Sequence, residues 1–81
     1  MNAVIYSKQG CFQCNEAKTF MRQNGIAFAE VVIGQDIIQE EFSQIYPNET
    51  SVPLIIIDGA KVGGYSDLKE WYNNRPQFLA E

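Results

Sequence analysis

Eighty-one residues suit one small domain, 1–81, and are too few for the usual two-domain chain. Hydrophobic residues make up 46% and charged residues 20%, a globular balance rather than a disordered one. Ten acidic against six basic side chains leave a net charge of −4, which argues against nucleic acid and against an anionic membrane surface as partners, since both require a basic face.

In chain order, residues 3–6 form a short apolar run, as in a strand buried on both faces. Ser7 to Gly10 reads as a loop. From Phe12 the period changes: Ala17, Phe20 and Met21 share one helical face, and Asn24-Gly25 supplies a stop. Residues 27–33 return to β-branched and aromatic types, a second strand, so the first three elements make a βαβ unit with parallel strands. After Gly34, Asp36 is placed to cap a second helix with Ile38, Phe42, Ile45 and Tyr46 on its inner face, ended by Pro47-Asn48.

Residues 52–57 read as a third strand, and Asp58-Gly59 as a two-residue hairpin leading to a short fourth strand at Lys61-Val62. Gly63-Gly64 closes it. Ser66 or Asp67 is placed to cap a last helix with Leu68, Trp71 and Tyr72 on one face. From Asn73 no period is visible, so the tail is expected to fray. The predicted order is β-α-β-α-β-β-α, a four-stranded mixed α/β sheet with helices on both faces.

The chain has no histidine, so Ser-His-Asp and Cys-His catalysis and histidine-ligated metals are excluded. Its two cysteines, Cys11 and Cys14, are too few for a secreted disulfide scaffold. They lie where the first strand hands over to the first helix. Unpaired N–H groups and the helix dipole favour a thiolate there. A free cysteine titrates near ~8.5, whereas cysteines at helix starts in CxxC pairs titrate at ~3.5–7.5. Lys8 adds positive charge nearby.

Cys11, at the helix mouth behind Gly10, is therefore the expected nucleophile. Cys14, three residues on and deeper, is the expected resolving thiol, close enough to form a disulfide. A zinc site shared by two copies would also use four thiolates, but zinc knuckles usually set their cysteines on turns between short strands. A purely structural bridge over so short a ring would restrain the unfolded chain little. Unpaired core cysteines are the third bland reading. A CxxC beside a βαβ unit points instead to thiol–disulfide exchange.

Four segments in order, YSKQGCFQC (6–14), SVP (51–53), LIIIDGAKVGGY (54–65) and SDL (66–68), make the chain resemble the glutaredoxins over nearly its whole length. The resemblance implies a thioredoxin-like fold and glutathione-dependent reduction of protein disulfides and glutathionylated thiols. It implies a cis Pro53 that aims the Val52 backbone at glutathione as an added strand would. Gly63 and Gly64 would admit the tripeptide's close approach, Ser66 and Asp67 would receive its γ-glutamyl end, and Lys8 would lie near its glycine carboxylate and the Cys11 sulfur. Tyr6 matches the family's aromatic residue before the active-site loop.

Each residue also has a plainer reading. The glycines could end a hairpin, Asp67 could cap a helix, Tyr6 could fill a core and Lys8 could be a solvated charge. Phe12-Gln13 replaces the usual Pro-Tyr between the cysteines, and this C-x-Q-C pattern resembles the small redoxins that feed ribonucleotide reductase and are recharged by thioredoxin reductase. Glu49 and Thr50 stand where several glutaredoxins are basic, with Gln44 a substitute contact. Some family members carry a [2Fe–2S] cluster between two copies; here no metal is expected. The expected partners are glutathione and disulfide-bearing proteins, ribonucleotide reductase among them, met by a monomer in the cytoplasm. No secretory signal is read at the N-terminus and no run approaches the roughly 18 apolar residues of a membrane span.

Overall fold

The computed structural model describes residues 2–74. Strand β1 (Ala3–Ser7) leads to helix α1 (Phe12–Gln23), strand β2 (Phe28–Val32), helix α2 (Gln39–Ile45), strands β3 (Leu54–Ile57) and β4 (Ala60–Gly63), and helix α3 (Tyr65–Asn74). The sheet runs β2-β1-β3-β4. β1 is parallel to β2, with Ser7 opposite Val32, and antiparallel to β3, with Tyr6 opposite Leu54. The predicted α/β order and mixed sheet are those observed.

Alternation along each strand divides the interior in two. On one face Ala3, Ile5, Ile55 and Ile57 meet Ala17 and Met21 of α1 and Leu68 of α3. Phe20 stands edge-on to Tyr65 and Tyr72 there, joining the two helices. On the other face Ile33, Leu54 and Ile56 pack with Phe42 of α2, and Tyr6 adds its ring to Phe42 and Tyr46. Burial and the neighbouring Tyr6 push the Tyr46 phenol above its usual range.

The hairpin forms as expected: Asp58 and Gly59 both take positive φ, 53° and 81°, the pair a type I′ turn requires. A slip in register follows at Val62, where Ile55 faces Gly63 and Ile56 faces Lys61.

Several expectations at element ends are corrected; Ser7, read as loop, is the last residue of β1. Asp36 does not cap α2; its carboxylate accepts the Val32 N–H at 2.8 Å and closes the turn after β2. The N-cap is Ile38, whose N–H is held by Glu41, and both Ile38 and Ile45 are exposed, so Phe42 is the buried anchor of a short helix. Neither Ser66 nor Asp67 occupies the cap of α3. Gly64 does, since its carbonyl accepts the Leu68 N–H at 2.9 Å, while Asp67 reaches back to the Gly64 N–H. Val52 and Pro53 precede β3 rather than opening it. α3 carries Asn73 and Asn74; the remaining tail, expected to fray, lies outside the described residues.

Candidate active site

The apolar run of β1 ends at the loop Lys8–Gly10, and α1 opens on exposed Phe12 and Gln13 before Cys14 and Ala17 turn inward. Cys11 takes the N-cap with extended backbone, and its Sγ accepts the Cys14 N–H at 3.1 Å. Its carbonyl accepts the Asn15 N–H, the first bond of the helix. The sulfur thus does the work of a serine or aspartate cap, and the same N–H would hold it as an anion in the reduced protein. The two cysteines are joined in a disulfide with Cα atoms 5.2 Å apart. Cys14 is 1% exposed, Cys11 is partly exposed, and Phe12 beside it is 74% exposed. Gln13 is exposed in the first turn.

Toward β3 the wall is mostly backbone. The Val52–Pro53 bond is cis. Val52 lies beyond the sheet ladder, which ends at Leu54. Pro53 is buried and its carbonyl lies near Gly64: a Cβ added to Gly64 would sit 3.7 Å from that oxygen and 3.9 Å from Asp67 Oδ2. Pro53, Gly64 and Asp67 are therefore brought together. Gly63 has φ 121°, and a Cβ there would come within 3.0 Å of three Asp67 side-chain atoms. Asp67 Oδ2 accepts the Gly64 N–H at 2.9 Å, so one carboxylate oxygen is engaged in holding the helix start. Ser66 is exposed in the first turn of α3. Glu49 forms an ion pair with Lys61 of β4, tying the approach to Val52 onto the edge strand. Gln44 is exposed on α2.

Toward β2 the wall is side chain. Lys8 is exposed and lines a cleft of about 480 Å³ with Ser7, Gln9, Asn15, Lys18 and Glu30. Ser7, 1% exposed, donates its hydroxyl to Glu30 Oε2 at 2.6 Å, and the Lys18 ammonium reaches the same oxygen at 2.8 Å. The Lys18 bond and then the Ser7 bond hold the Glu30 carboxyl below its usual range. Tyr6 stands apart from both walls, its ring in the α2-side core. Sequence reasoning missed Ser7, Glu30 and Lys18. The only sign was one acid inside the apolar run 27–33, in a strand expected to pair with the one ending at Ser7. Among the described residues no three His, Cys, Asp or Glu side chains converge on a common point, and no helix is long and apolar enough to cross a membrane.

Comparison with known proteins gives this arrangement its family. The glutaredoxin family model matches residues 3–62. Glutaredoxin 3 of Escherichia coli is 34% identical over 67 residues, 83% of this chain and 81% of that protein. Glutaredoxin 1 from Francisella tularensis superposes with a TM-score of 0.75 at 28% identity, covering 99% of this chain and 98% of that one. The buckwheat glutaredoxin–glutathione complex superposes with a TM-score of 0.74 at 26% identity, covering 89% of this chain and 68% of that one. The match spans the sheet, the cysteine pair and the cis-proline segment, and the chain belongs to the glutaredoxin family of thiol–disulfide oxidoreductases.

Proposed function

We propose that this glutaredoxin draws its electrons from glutathione and passes them to protein disulfides and glutathionylated thiols, with Cys11 as nucleophile and Cys14 as resolving thiol. The observation that carries the reading is the Cys11 sulfur at the cap of α1, bonded by the Cys14 N–H at 3.1 Å, while Cys14 itself is buried. The Cys11 thiolate attacks one sulfur of the substrate disulfide, and the other sulfur leaves as a thiolate and takes a proton. Cys14 loses its proton and attacks Cys11 Sγ; the second substrate sulfur leaves, and the Cys11–Cys14 disulfide remains. Two electrons have passed to the substrate. Two glutathione thiols restore the dithiol and depart as glutathione disulfide.

The residues present suit the tripeptide. The backbone of Val52 is outside the ladder and free to pair with an extended peptide. Gly64 adds no side chain beside Pro53, and the start of α3 with Ser66 and Asp67 offers N–H groups and a carboxylate to a γ-glutamyl end. The buckwheat relative, solved with glutathione, supports glutathione as the ligand. Lys8 is the cation available to the glycine carboxylate, since Lys61 is engaged by Glu49. Tyr6 packs on Phe42 in the core one residue before the strand end, and Phe12 and Gln13 are exposed to an incoming protein. The single domain works in the cytoplasm, and ribonucleotide reductase is a disulfide-bearing partner of the right chemistry.

The test is turnover of a glutathionylated peptide and of a protein disulfide, with glutathione or thioredoxin reductase supplied separately. Cys11→Ser should fall to background on both substrates. Cys14→Ser should keep the first reaction, which needs one attack, and lose the second. Equal rates for wild type and Cys11→Ser overturn the nucleophile; turnover with thioredoxin reductase alone overturns the donor.

A further inference from the structure

Beyond the cysteines and the glutathione wall, one group of side chains touches both elements that carry the redox pair. A single oxygen, Glu30 Oε2, takes a bond from Ser7 at 2.6 Å and from Lys18 at 2.8 Å. Ser7 is the last residue of β1, four before Cys11. Lys18 is four after Cys14 on α1, which places it one turn along on the same side of the helix. The Lys18 side chain is 17% exposed and that of Glu30 29%, so water screens this pair less than it screens an open surface pair.

We propose that Glu30 is a positioning residue for the redox pair: by neutralising Lys18 it sets how much positive charge the reduced cysteines feel, and through Ser7 it holds the strand end from which their loop departs. The inference rests on Cys11 and Cys14 being the reacting pair. Lys18 stays on α1, its backbone one turn beyond Cys14, so removing the carboxylate charge leaves its ammonium without its ion-pair partner. The depressed titration of the Glu30 carboxyl agrees with a charge kept in place at neutral pH. The other charged groups around Glu30 are Arg22, also on α1, and Lys8, across the cleft. Both are positive, so no second anion substitutes for it among the described residues lining that cleft.

A bolt that merely joins β1, β2 and α1 would loosen when either partner is cut. A charge balance responds with opposite signs. The experiment follows the pH dependence of Cys11 alkylation in the reduced protein, in wild type, Glu30→Gln, Lys18→Gln and the double variant, at low salt and again at high salt. Glutamine at position 30 keeps an acceptor for Ser7. Glu30→Gln should lower the alkylation midpoint by about 0.3–0.5 pH units, a two- to three-fold gain in thiolate below the midpoint. Lys18→Gln should raise it by a similar amount, and the double variant should return close to wild type.

High salt should shrink both single shifts. Equilibration with a glutathione buffer is the second readout: the disulfide of Glu30→Gln should be half-reduced at a two- to three-fold lower value of [GSH]²/[GSSG], because its thiolate form is stabilised. Single variants that move the midpoint in the same direction, or that leave it unmoved, overturn the charge balance. A wild-type midpoint at the free-thiol value of ~8.5 would instead overturn the reactive-pair reading beneath it.

Discussion

The two sides of the candidate site are built differently. Toward β3 the surface is backbone: Val52 outside the ladder, the Pro53 carbonyl, and two glycines, with Asp67 closing the helix start behind them. Toward β2 it is side chain: a buried serine and a lysine that converge on one carboxylate oxygen. A backbone wall depends on conformation and on the absence of side chains, so it is sensitive to what is added and indifferent to pH. A side-chain wall depends on charge, so it is sensitive to protonation and salt. The difference predicts separate responses to mutation.

The largest effect belongs to Gly63. At φ 121° an L side chain is strained, and its Cβ would press on Asp67. Gly63→Ala should lose about 2–3 kcal/mol in urea unfolding. Gly64→Ala, with no atom closer than 3.7 Å to its new Cβ, should lose less than about 1 kcal/mol. Because the crowding atoms at Gly63 are those of Asp67, Gly63→Ala combined with Asp67→Ala should destabilise less than the sum of the two. Equal losses at the two glycines would break the contrast within this wall.

Asp67→Ala alone should lose about 1 kcal/mol, the value of a helix-start hydrogen bond, as it leaves the Gly64 N–H without its partner. It should also raise the KM for glutathione while turnover of a small disulfide at saturation changes little. An unchanged KM would confine Asp67 to the cap.

The β2 wall should answer to acid. Lys18 and Ser7 hold the folded Glu30 carboxyl below its ordinary value of 4.5. The stability it contributes is present above that value and is lost as the pH falls through the lowered folded value. Unfolding compared at pH 7 and pH 3 should show wild type losing more stability on acidification than Glu30→Gln. Identical losses would remove the carboxylate from the account.

Local signals carried most of the fold. The apolar run of β1, the period of α1 and the Asp58-Gly59 pair each act through neighbours in the chain, and each element formed where its residues required. Two of the errors lie where polar groups compete for one role. Asp36 has the right chemistry for an N-cap, but the Val32 N–H is close once the chain folds back, and the carboxylate accepts it instead. Asp67 looks like a cap residue, and it does satisfy the helix start, but from inside the first turn, because Gly64 can occupy the cap with no side chain at all. Ile38 and Ile45 fit a helical stripe, yet α2 begins after the first and is too short to bury the second.

The cysteine pair was legible because its three-residue spacing is local. The Ser7–Glu30–Lys18 junction was not. Its members are 23 and 12 residues apart, and only the parallel register, with Ile5 opposite Glu30 and Ser7 opposite Val32, brings them together.

Phe12 gives the smallest effect on stability and the sharpest test of which surface meets a protein substrate. It follows Cys11 directly, is 74% exposed, and belongs to neither wall. Removing its ring uncovers little, so Phe12→Ala should change stability by no more than about 0.5 kcal/mol. A small glutathionylated peptide need only reach the sulfur, whereas a folded substrate must lay a surface around it, and an exposed ring there would be buried on contact. Phe12→Ala should therefore leave turnover of the small substrate unchanged and raise KM several-fold for a protein disulfide. A parallel loss on both substrates would mean that the ring acts on the sulfur itself.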